Sequence, residues 1–224
     1  MKKDIQVAID GPASSGKSTV AKIIAKKLGL IYCDTGAMYR SVTWAVLNRQ
    51  IDLADTAAVA RLARTIKISF QPGDPDQRVF VDAVEVTKPI REGAVSSHVS
   101  AVAAIPTVRE AMTMQQRQIA DQGGIVMDGR DIGTTVLPNA DVKIFLVASA
   151  HERALRRYKE NQIKGLDSKP LAEIEAAIKL RDQKDSTRKV SPLKKAADAV
   201  ELDTTSLSID QVVDRILNII EKSR

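Results

Sequence analysis

The chain has 224 residues, of which 44% are hydrophobic and 28% are charged, the composition of an ordinary globular protein. No apolar run reaches the ~20 residues that a bilayer-spanning helix needs, so we expect no membrane partner. The single cysteine, Cys33, excludes an internal disulfide and favours a cytoplasmic location. We interpret it as a small buried residue at the end of a strand. Met1–Asp4 lead straight into a predicted strand, without the features of a signal peptide.

The net charge of +6 is concentrated in one part of the chain. Residues 151–195 hold 13 Lys/Arg against 7 Asp/Glu, and the remaining residues hold 21 of each. Such a segment fits either a nucleic-acid surface or a site for a strongly anionic small ligand. Aromatic residues make up only 3% of the chain, which leaves few platforms for stacking unpaired bases. The composition therefore favours the small anionic ligand.

A glycine-rich motif follows the first predicted strand, Ile5–Ile9. Residues 11–18 read Gly-Pro-Ala-Ser-Ser-Gly-Lys-Ser and fit the pattern G-x-x-x-x-G-K-[ST] without a mismatch. Val20, Ile23 and Leu28 then recur at helical spacing, and Gly29 stands where a helix C-cap glycine belongs. This order predicts a loop whose N–H groups and helix dipole surround polyphosphate oxygens. Lys17 would reach the β- and γ-phosphates.

The segments that follow alternate between strand and helix patterns. We predict a strand at 30–33, a helix at 39–49 and a helix capped by Asp55. The next segments, 66–70, 78–81 and 84–86, indicate an antiparallel meander with a turn at 71–75. A β-rich patch of this kind inside an α/β chain predicts an inserted subdomain that ends near Pro89.

The second half of the chain repeats the α/β pattern. Thr107–Glu110 is predicted as a capping box that opens a helix to about 121, and Ser149–Glu152 as a second one that opens a very basic helix. Buried strands are expected at 125–127 and 142–147, and a last strand at 200–202. Pro170 and Pro192 bracket a charged helix, and Ser208 caps a final amphipathic one. Together these elements predict an α/β fold, a doubly wound parallel sheet in three layers.

Charged residues outside the glycine-rich loop help to decide which class of phosphate-binding protein this is. No N-K-x-D element typical of guanine-reading GTPases occurs. Arg181, Asp185 and Arg188 are spaced to share one helix face, as are Arg153 and Arg157. Taken singly, such arginines usually form surface ion pairs worth ~0–1 kcal/mol; several in a phosphate-binding chain fit phosphoryl transfer. The run Asp128–Asp131 follows a strand end, where ligands bind in this architecture, although a plain charged turn would give the same pattern.

With these residues, the chain resembles the bacterial cytidylate kinase family of nucleoside monophosphate kinases. The resemblance spans essentially the whole chain. It is carried by residues 10–19, by the segment Asp34-Thr35-Gly36-Ala37-Met38-Tyr39-Arg40, by the run Met127–Thr134, and by Arg181 and Asp182 through Asp185 to Arg188. The loop reads Gly-Lys-Ser-Thr where some relatives have Gly-Lys-Gly-Thr, and Ser18 is the candidate Mg²⁺ ligand.

The resemblance implies a role for each matching residue. It implies a P-loop NTPase-type core at about 1–65, 100–150 and 195–224, a small β-rich nucleoside-monophosphate-binding insertion at about 66–99, and a basic helical lid at about 151–194. ATP would be held by Gly11, Pro12, Ala13, Ser14, Ser15, Gly16, Lys17, Ser18, Thr19, Arg153 and Arg157. Asp131, Arg109 and Ser100 would hold the base, Thr35, Arg40, Arg130 and Arg188 the acceptor phosphate, and Arg181 and Asp185 the sugar. Lys17, Arg130, Arg181 and Arg188 would be catalytic.

The implied reaction is the phosphorylation of CMP and dCMP by ATP, with Mg²⁺, in a cytoplasmic monomer with no nucleic-acid polymer as partner. Two other hypotheses are also consistent with the sequence. A small-metabolite kinase of the same fold would need a carboxylate base for a hydroxyl acceptor. An RNA-binding regulatory ATPase is suggested by the isoelectric point of about 9.4 and would show steep salt dependence.

Overall fold

A computed structural model describes residues 5–73, 77–163, 165 and 169–223 of the protein. In chain order its elements are β1 Gln6–Asp10, α1 Lys17–Leu28, β2 Ile31–Asp34, α2 Thr35–Asn48, α3 Thr56–Thr65, β3 Ile68–Gln71, β4 Arg78–Val81, β5 Val84–Glu85, α4 Gly93–Val102, α5 Pro106–Ala120, β6 Ile125–Gly129, β7 Val142–Val147, α6 Ala150–Ile163, α7 Leu171–Thr187, β8 Val200–Asp203 and α8 Ile209–Lys222. A π-helical turn, Ile132–Val136, follows β6. The chain divides into two compact units.

The first unit comprises the residues up to Tyr32 and from Gly123 onward. Its sheet has the strand order β2-β6-β1-β7-β8, and β1 pairs in parallel with both β6 and β7. Ile9, Ile144 and Leu146 of the sheet pack in one core with Ile24 of α1 and Ile216 of α8. The predicted α/β architecture with a parallel central sheet is confirmed. The carboxyl ends of its strands therefore lie along one edge, where the loops that follow them meet.

The second unit runs from Cys33 to Gln122. It holds α2 to α5 and an antiparallel sheet in the order β3-β4-β5, so the predicted meander is confirmed. Part of the turn predicted at 71–75 lies outside the described residues. The predicted bounds of an insertion at 66–99 and a lid at 151–194 stay predictions. Cys33 is fully buried within β2, as expected.

Helix caps account for several predicted boundaries. Gly29 ends α1 in the left-handed conformation, with φ of 67°, and Asp55 and Ser208 accept hydrogen bonds from Ala58 N and Gln211 N. The capping box predicted at Thr107 was wrong: α5 begins one residue earlier at Pro106, and Ile105 occupies the N-cap without a side-chain hydrogen bond. Proline at the first helical position needs no N–H partner and has a preset φ, which places Thr107 inside the first turn.

The second predicted capping box is half formed. The Ser149 hydroxyl accepts a hydrogen bond of 3.1 Å from Glu152 N, but Ser149 N donates to the Thr205 hydroxyl and the Glu152 carboxylate binds Arg156. Three further elements were not predicted: the 3₁₀ turn Pro89–Arg91, α4 and the π-helical turn after β6. All are short, and α4 opens with a glycine, so none gives a long helical pattern in the sequence.

Candidate active site

The phosphate loop takes the conformation that its two glycines permit. Gly11 has φ of 154°, and a Cβ there would overlap the carbonyl oxygen of Leu146, so only glycine lets the chain leave β1 at this point. Gly16 has φ of 88° and is the N-cap of α1. The predicted order of strand, glycine-rich loop and helix is therefore confirmed, and the N–H groups at the start of a helix that follows such a loop are suited to an anion.

Lys17 and Ser18 are the last two residues of the glycine-rich motif and the first two residues of α1. Lys17 is 6% exposed, and its Nζ donates a hydrogen bond of 3.0 Å to the carbonyl of Pro12. The Ser18 hydroxyl donates to Asp128 Oδ2 at 2.7 Å, and the Tyr32 hydroxyl donates to Asp128 Oδ1 at 2.9 Å. A hydroxyl and a carboxylate oxygen beside a phosphate loop are the hard ligands that Mg²⁺ prefers. The donor set fits magnesium.

Arginine side chains gather around Asp185 on α7. Arg130 Nε donates to Asp185 Oδ2 at 3.1 Å, and the two side chains are 17% and 9% exposed. Burial lowers the pKa of Arg181 to about 10, with further lowering by Arg130 and Arg157 that Asp185 partly opposes. The Nε of Arg181 is buried without a hydrogen-bond partner among the described residues. Like charges held together in a partly buried place are stabilised when an anion joins them.

Arg188 departs from its predicted position. The helix α7 ends at Thr187, and Arg188 is its C-cap residue with an extended backbone, φ −63° and ψ 144°. Arg188 therefore lies at the end of α7 and not inside it, which corrects its predicted position within the helix. Its Nε donates to Ser191 O at 2.6 Å, and its guanidinium lies 3.5 Å from Asp131 Oδ1. Asp131 is 3% exposed, so the two form a buried ion pair after β6.

Arg153 and Arg157 of α6 both form hydrogen bonds to the phosphate loop. Arg153 is 5% exposed and donates to Ala13 O at 3.1 Å, to Ala148 O at 2.9 Å and to Asp182 Oδ2 at 2.6 Å. Arg157 Nε donates to the Ser14 hydroxyl at 3.3 Å; its side chain is 36% exposed and pairs with Glu160 at 3.7 Å. Both arginines of α6 that were predicted to bind ATP therefore lie beside the loop. Arg153 is buried and bonded within the protein, whereas Arg157 is partly exposed.

Sequence reasoning missed two residues of the same region. Arg156 donates to Ser15 O at 3.4 Å and to Thr204 O at 2.5 Å. Asp10 accepts hydrogen bonds of 2.8 Å from both Ile132 N and Gly133 N. Burial raises the pKa of Asp10 to about 6, against the lowering by those two N–H groups. Arg156 was visible as part of a basic helix, and Asp10 as the residue before Gly11, but nothing local marked their partners.

The remaining predicted residues belong to the second unit. Thr35 is buried as the first residue of α2. Arg40 is 8% exposed and donates to Ile90 O at 3.2 Å and to the Ser96 hydroxyl at 2.8 Å. Arg109 is 3% exposed; it donates to Ala103 O and lies 5.1 Å above the ring of Tyr39. Ser100 is half-buried on α4.

Asp34 fixes the start of α2 in that unit. Its carboxylate accepts from Ala37 N at 2.9 Å and pairs with Arg91 at 2.9 Å. Burial alone would raise the pKa of Asp34, but the Arg91 guanidinium and the Ala37 N–H hold it below the ordinary value. Sequence reasoning did not single out Arg91, whose partner is 57 positions away.

Comparison with known proteins decides between the kinase classes. The family model "Cytidylate kinase" matches residues 7–222. The chain belongs to the cytidylate kinase family. Among its relatives, a cytidylate kinase of Limosilactobacillus reuteri is 65% identical over 224 residues, covering 100% of this chain and 98% of that one. Those of Limosilactobacillus fermentum and Lactiplantibacillus plantarum are 66% and 61% identical over 223 residues, covering 100% of this chain and 98% and 97% of theirs.

Solved structures support the fold. A shikimate kinase from Bacteroides thetaiotaomicron superposes with a TM-score of 0.50 at 14% identity, covering 97% of this chain and 98% of that one. An uncharacterized protein from Eubacterium ventriosum gives a TM-score of 0.52 at 14% identity, with 98% and 99% coverage. At such identities the likeness concerns architecture alone. Within the described ranges, the helices of this kinase family member are too short or too polar to cross a membrane.

Proposed function

We propose that the protein transfers the γ-phosphoryl group of ATP to the 5′-phosphate of CMP and dCMP. Membership of the cytidylate kinase family supports the reaction class. The observation that carries the proposal is the group of cationic side chains near Asp185, in which burial and the nearby charges of Arg130 and Arg157 lower the pKa of Arg181. Two polyanionic substrates that must meet end to end need such a concentration of positive charge.

The donor nucleotide would occupy the loop 11–16 and the start of α1. Lys17 is positioned over the loop by its bond to Pro12 O, from where an ammonium can contact β- and γ-phosphate oxygens. Arg157 is exposed enough to turn from Ser14 toward a phosphate. Ser18 and Asp128 would hold Mg²⁺, directly or through water, and the ion would neutralise charge on the transferred group.

The residues proposed for the acceptor nucleotide fall into two separate sets, one for each unit. In the first unit, Asp131 offers a carboxylate for the exocyclic amine of cytosine, because that amine is a donor. Arg130 and Arg188 are cations for the acceptor phosphate, and Arg181 and Asp185 suit ribose hydroxyls. In the second unit, Thr35 and Arg40 would bind the phosphate, and Ser100 and Arg109 the base.

The proposed reaction does not depend on a general base. A phosphate monoester has a second pKa near 6 and is mostly a dianion at neutral pH, so its oxygen is already a nucleophile. Catalysis then consists of aligning donor and acceptor and stabilising the charge that develops on the transferred group. Lys17, Arg130, Arg181 and Arg188 would do this as cations. We also propose that the segment 151–194 closes over the phosphates to exclude water.

An ADP-release assay with MgATP tests the proposal. The purified protein is offered CMP, dCMP, UMP, AMP and GMP, and, separately, shikimate-like alcohols. We expect the highest kcat/KM with CMP and dCMP. Turnover of an alcohol but of no monophosphate would support a small-metabolite kinase, and ATP hydrolysis without a phosphorylated acceptor would support a regulatory ATPase. Light scattering in the same buffer tests the expected monomer.

A further inference from the structure

The carboxylate of Asp10 is bonded to a turn that lies far away in the chain. Asp10 is the last residue of β1 and directly precedes Gly11 of the phosphate loop. Its two oxygens accept hydrogen bonds of 2.8 Å each from Ile132 N and Gly133 N, 122 and 123 positions away. Asp10 is 4% exposed, so these bonds are shielded from water.

The chemistry of this contact suits a carboxylate at position 10 and a glycine at position 133. The first N–H groups of a helical turn have no partner within the turn, and a buried carboxylate can accept from two of them with charge-assisted bonds. A Cβ on Gly133 would lie 3.2 Å from Lys143 Cδ and 3.5 Å from Asp10 Oδ2. The Lys143 stem has little room to retreat, because its Nζ is bonded to both Pro138 O and Asp198.

The turn that Asp10 holds is bonded to Asp131 directly and to Arg188 through Ser191, two residues proposed for the acceptor nucleotide. The carbonyl of Asp131 accepts from Thr135 N at 2.9 Å and from Val136 N at 3.2 Å, so the backbone of Asp131 is set by the turn. The Thr135 hydroxyl donates to the Ser191 hydroxyl at 3.3 Å, and Ser191 O accepts from Arg188. A π-helical turn of this kind is a common device at functional sites.

We propose that Asp10 is a positioning residue that ties the phosphate loop to the turn 132–136 and thereby orients Asp131 and Arg188 toward the acceptor nucleotide. The inference rests on the proposed function, because it takes these two side chains as acceptor ligands. Asp10 itself touches no substrate. It acts because its carboxylate holds the turn against the end of β1, and the backbone of β1 is itself fixed by pairing with β6 and β7, so that loss of the contact frees the turn and leaves the phosphate loop in place.

The test is Asp10→Asn, which keeps the size of the side chain but turns one acceptor into an N–H donor facing another donor. We expect the KM for CMP to rise on the order of 10²-fold, the scale of a misplaced reacting group, while the Kd for ATP measured without CMP stays at the wild-type value. Amide hydrogen exchange at Ile132 and Gly133 should be slow in the wild type and faster in the variant. Asp198→Asn, which removes the other carboxylate near Lys143, is the matched control and should leave all three quantities unchanged.

Gly133→Ala disturbs the same contact from the opposite side and carries the test if Asp10→Asn does not fold. It should raise the KM for CMP and speed exchange at Ile132. A wild-type KM for CMP in either variant whose turn exchanges fast would overturn the inference, as would an equal loss of CMP and ATP binding. A wild-type protein that leaves CMP unphosphorylated would instead contradict the proposed function; the exchange rates would then still decide whether Asp10 holds the turn.

Discussion

The Ser18 hydroxyl donates a hydrogen bond of 2.7 Å to the Asp128 carboxylate, 110 positions further along the chain. Ser18 lies in the first turn of α1, and Asp128 lies near the end of β6, which pairs in parallel with β1. The contact follows from that pairing, since it brings the loop after β1 and the end of β6 to one edge of the sheet. A hydroxyl and a carboxylate, the kinds of oxygen that a hard cation prefers, meet there without any motif that joins them.

Ser18→Ala removes one of these oxygens and should weaken the response to magnesium. We expect the Mg²⁺ concentration for half-maximal activity to rise by about 10- to 100-fold, the range for a lost group in the shells around a metal. The measurement is the ADP-release rate against free Mg²⁺ at saturating ATP. Ser18→Thr keeps the hydroxyl and should stay near the wild type. Equal magnesium curves for the alanine and threonine variants would show that the hydroxyl plays no part.

Arg188→Ala should lower kcat/KM for CMP by on the order of 10²-fold or more, as expected when a charge contact made in the transition state is lost. Arg188 is nearly buried, 9% exposed, beside Asp131, so its removal also leaves that carboxylate without this cation. Lys189→Ala removes the same charge from an exposed neighbour and should have little effect. Near-normal turnover of the Arg188 variant with intact circular dichroism would take Arg188 out of the site.

Asp131→Asn should reduce the preference for cytosine. The carboxylate can accept from the exocyclic amine of cytosine, whereas uracil presents a carbonyl at that position. We expect the KM for CMP to rise and the ratio of kcat/KM for CMP over UMP to fall by about 10-fold or more, the value of 1.4 kcal/mol. The Kd for ATP, measured by titration without acceptor, should not change. Equal losses for CMP and ATP would argue against base recognition by Asp131.

Arg153→Ala and Arg157→Ala should separate structure from substrate binding on α6. Arg153 is buried and bonded to Ala13 O and Asp182, so its loss should lower the free energy of unfolding by about 3 kcal/mol, as for one partner removed from a buried pair. Arg157 is exposed by 36%, so its loss should change stability by less than about 0.5 kcal/mol and should raise the KM for ATP. Urea denaturation and ATP kinetics measure the two effects. The reverse pattern would exchange the roles of the two residues.

Asp10 should make stability depend on pH. Its pKa is raised by burial from 3.8 to about 6 in the folded protein, so between these values the native state binds more protons than the unfolded state. The free energy of unfolding should therefore fall as the pH rises from about 4 to 6, by up to about 3 kcal/mol from this group. Urea unfolding of the wild type and of Asp10→Asn from pH 4 to 7 isolates the effect, because asparagine does not titrate. Parallel curves for the two proteins would contradict it.

Much of the fold could be read from local patterns. The strand before Gly11, the helix that ends at Gly29 and the amphipathic helix capped by Ser208 were all predicted, because hydrophobic periodicity and caps are properties of neighbouring residues. The failures were also local in origin. The helix α5 begins at Pro106, so that Thr107 lies inside its first turn, and α7 ends before Arg188.

The candidate site was predicted as a list of residue types, not as contacts. The sequence could propose that Arg181 and Asp185 share a helix face, since that needs only the helical period. It could not show that Arg130 would donate a hydrogen bond to Asp185, or that Asp10 would accept hydrogen bonds from Ile132 N and Gly133 N. Those bonds cross 55 and more than 120 positions, and no local pattern specifies a partner so far away.

The amino-acid sequence by itself determined the phosphate loop, the alternation of strands and helices and the excess of arginine in residues 151–195, because each of these is written in consecutive residues. Only the tertiary structure decided which arginines are buried and bonded within the protein and which are partly exposed. Arg153 and Arg157 are of one residue type on one helix, yet the first is buried among carbonyls and the second is partly exposed. Burial and the available acceptors differ at two places a single turn apart, and they are set by distant segments that the parallel sheet brings together.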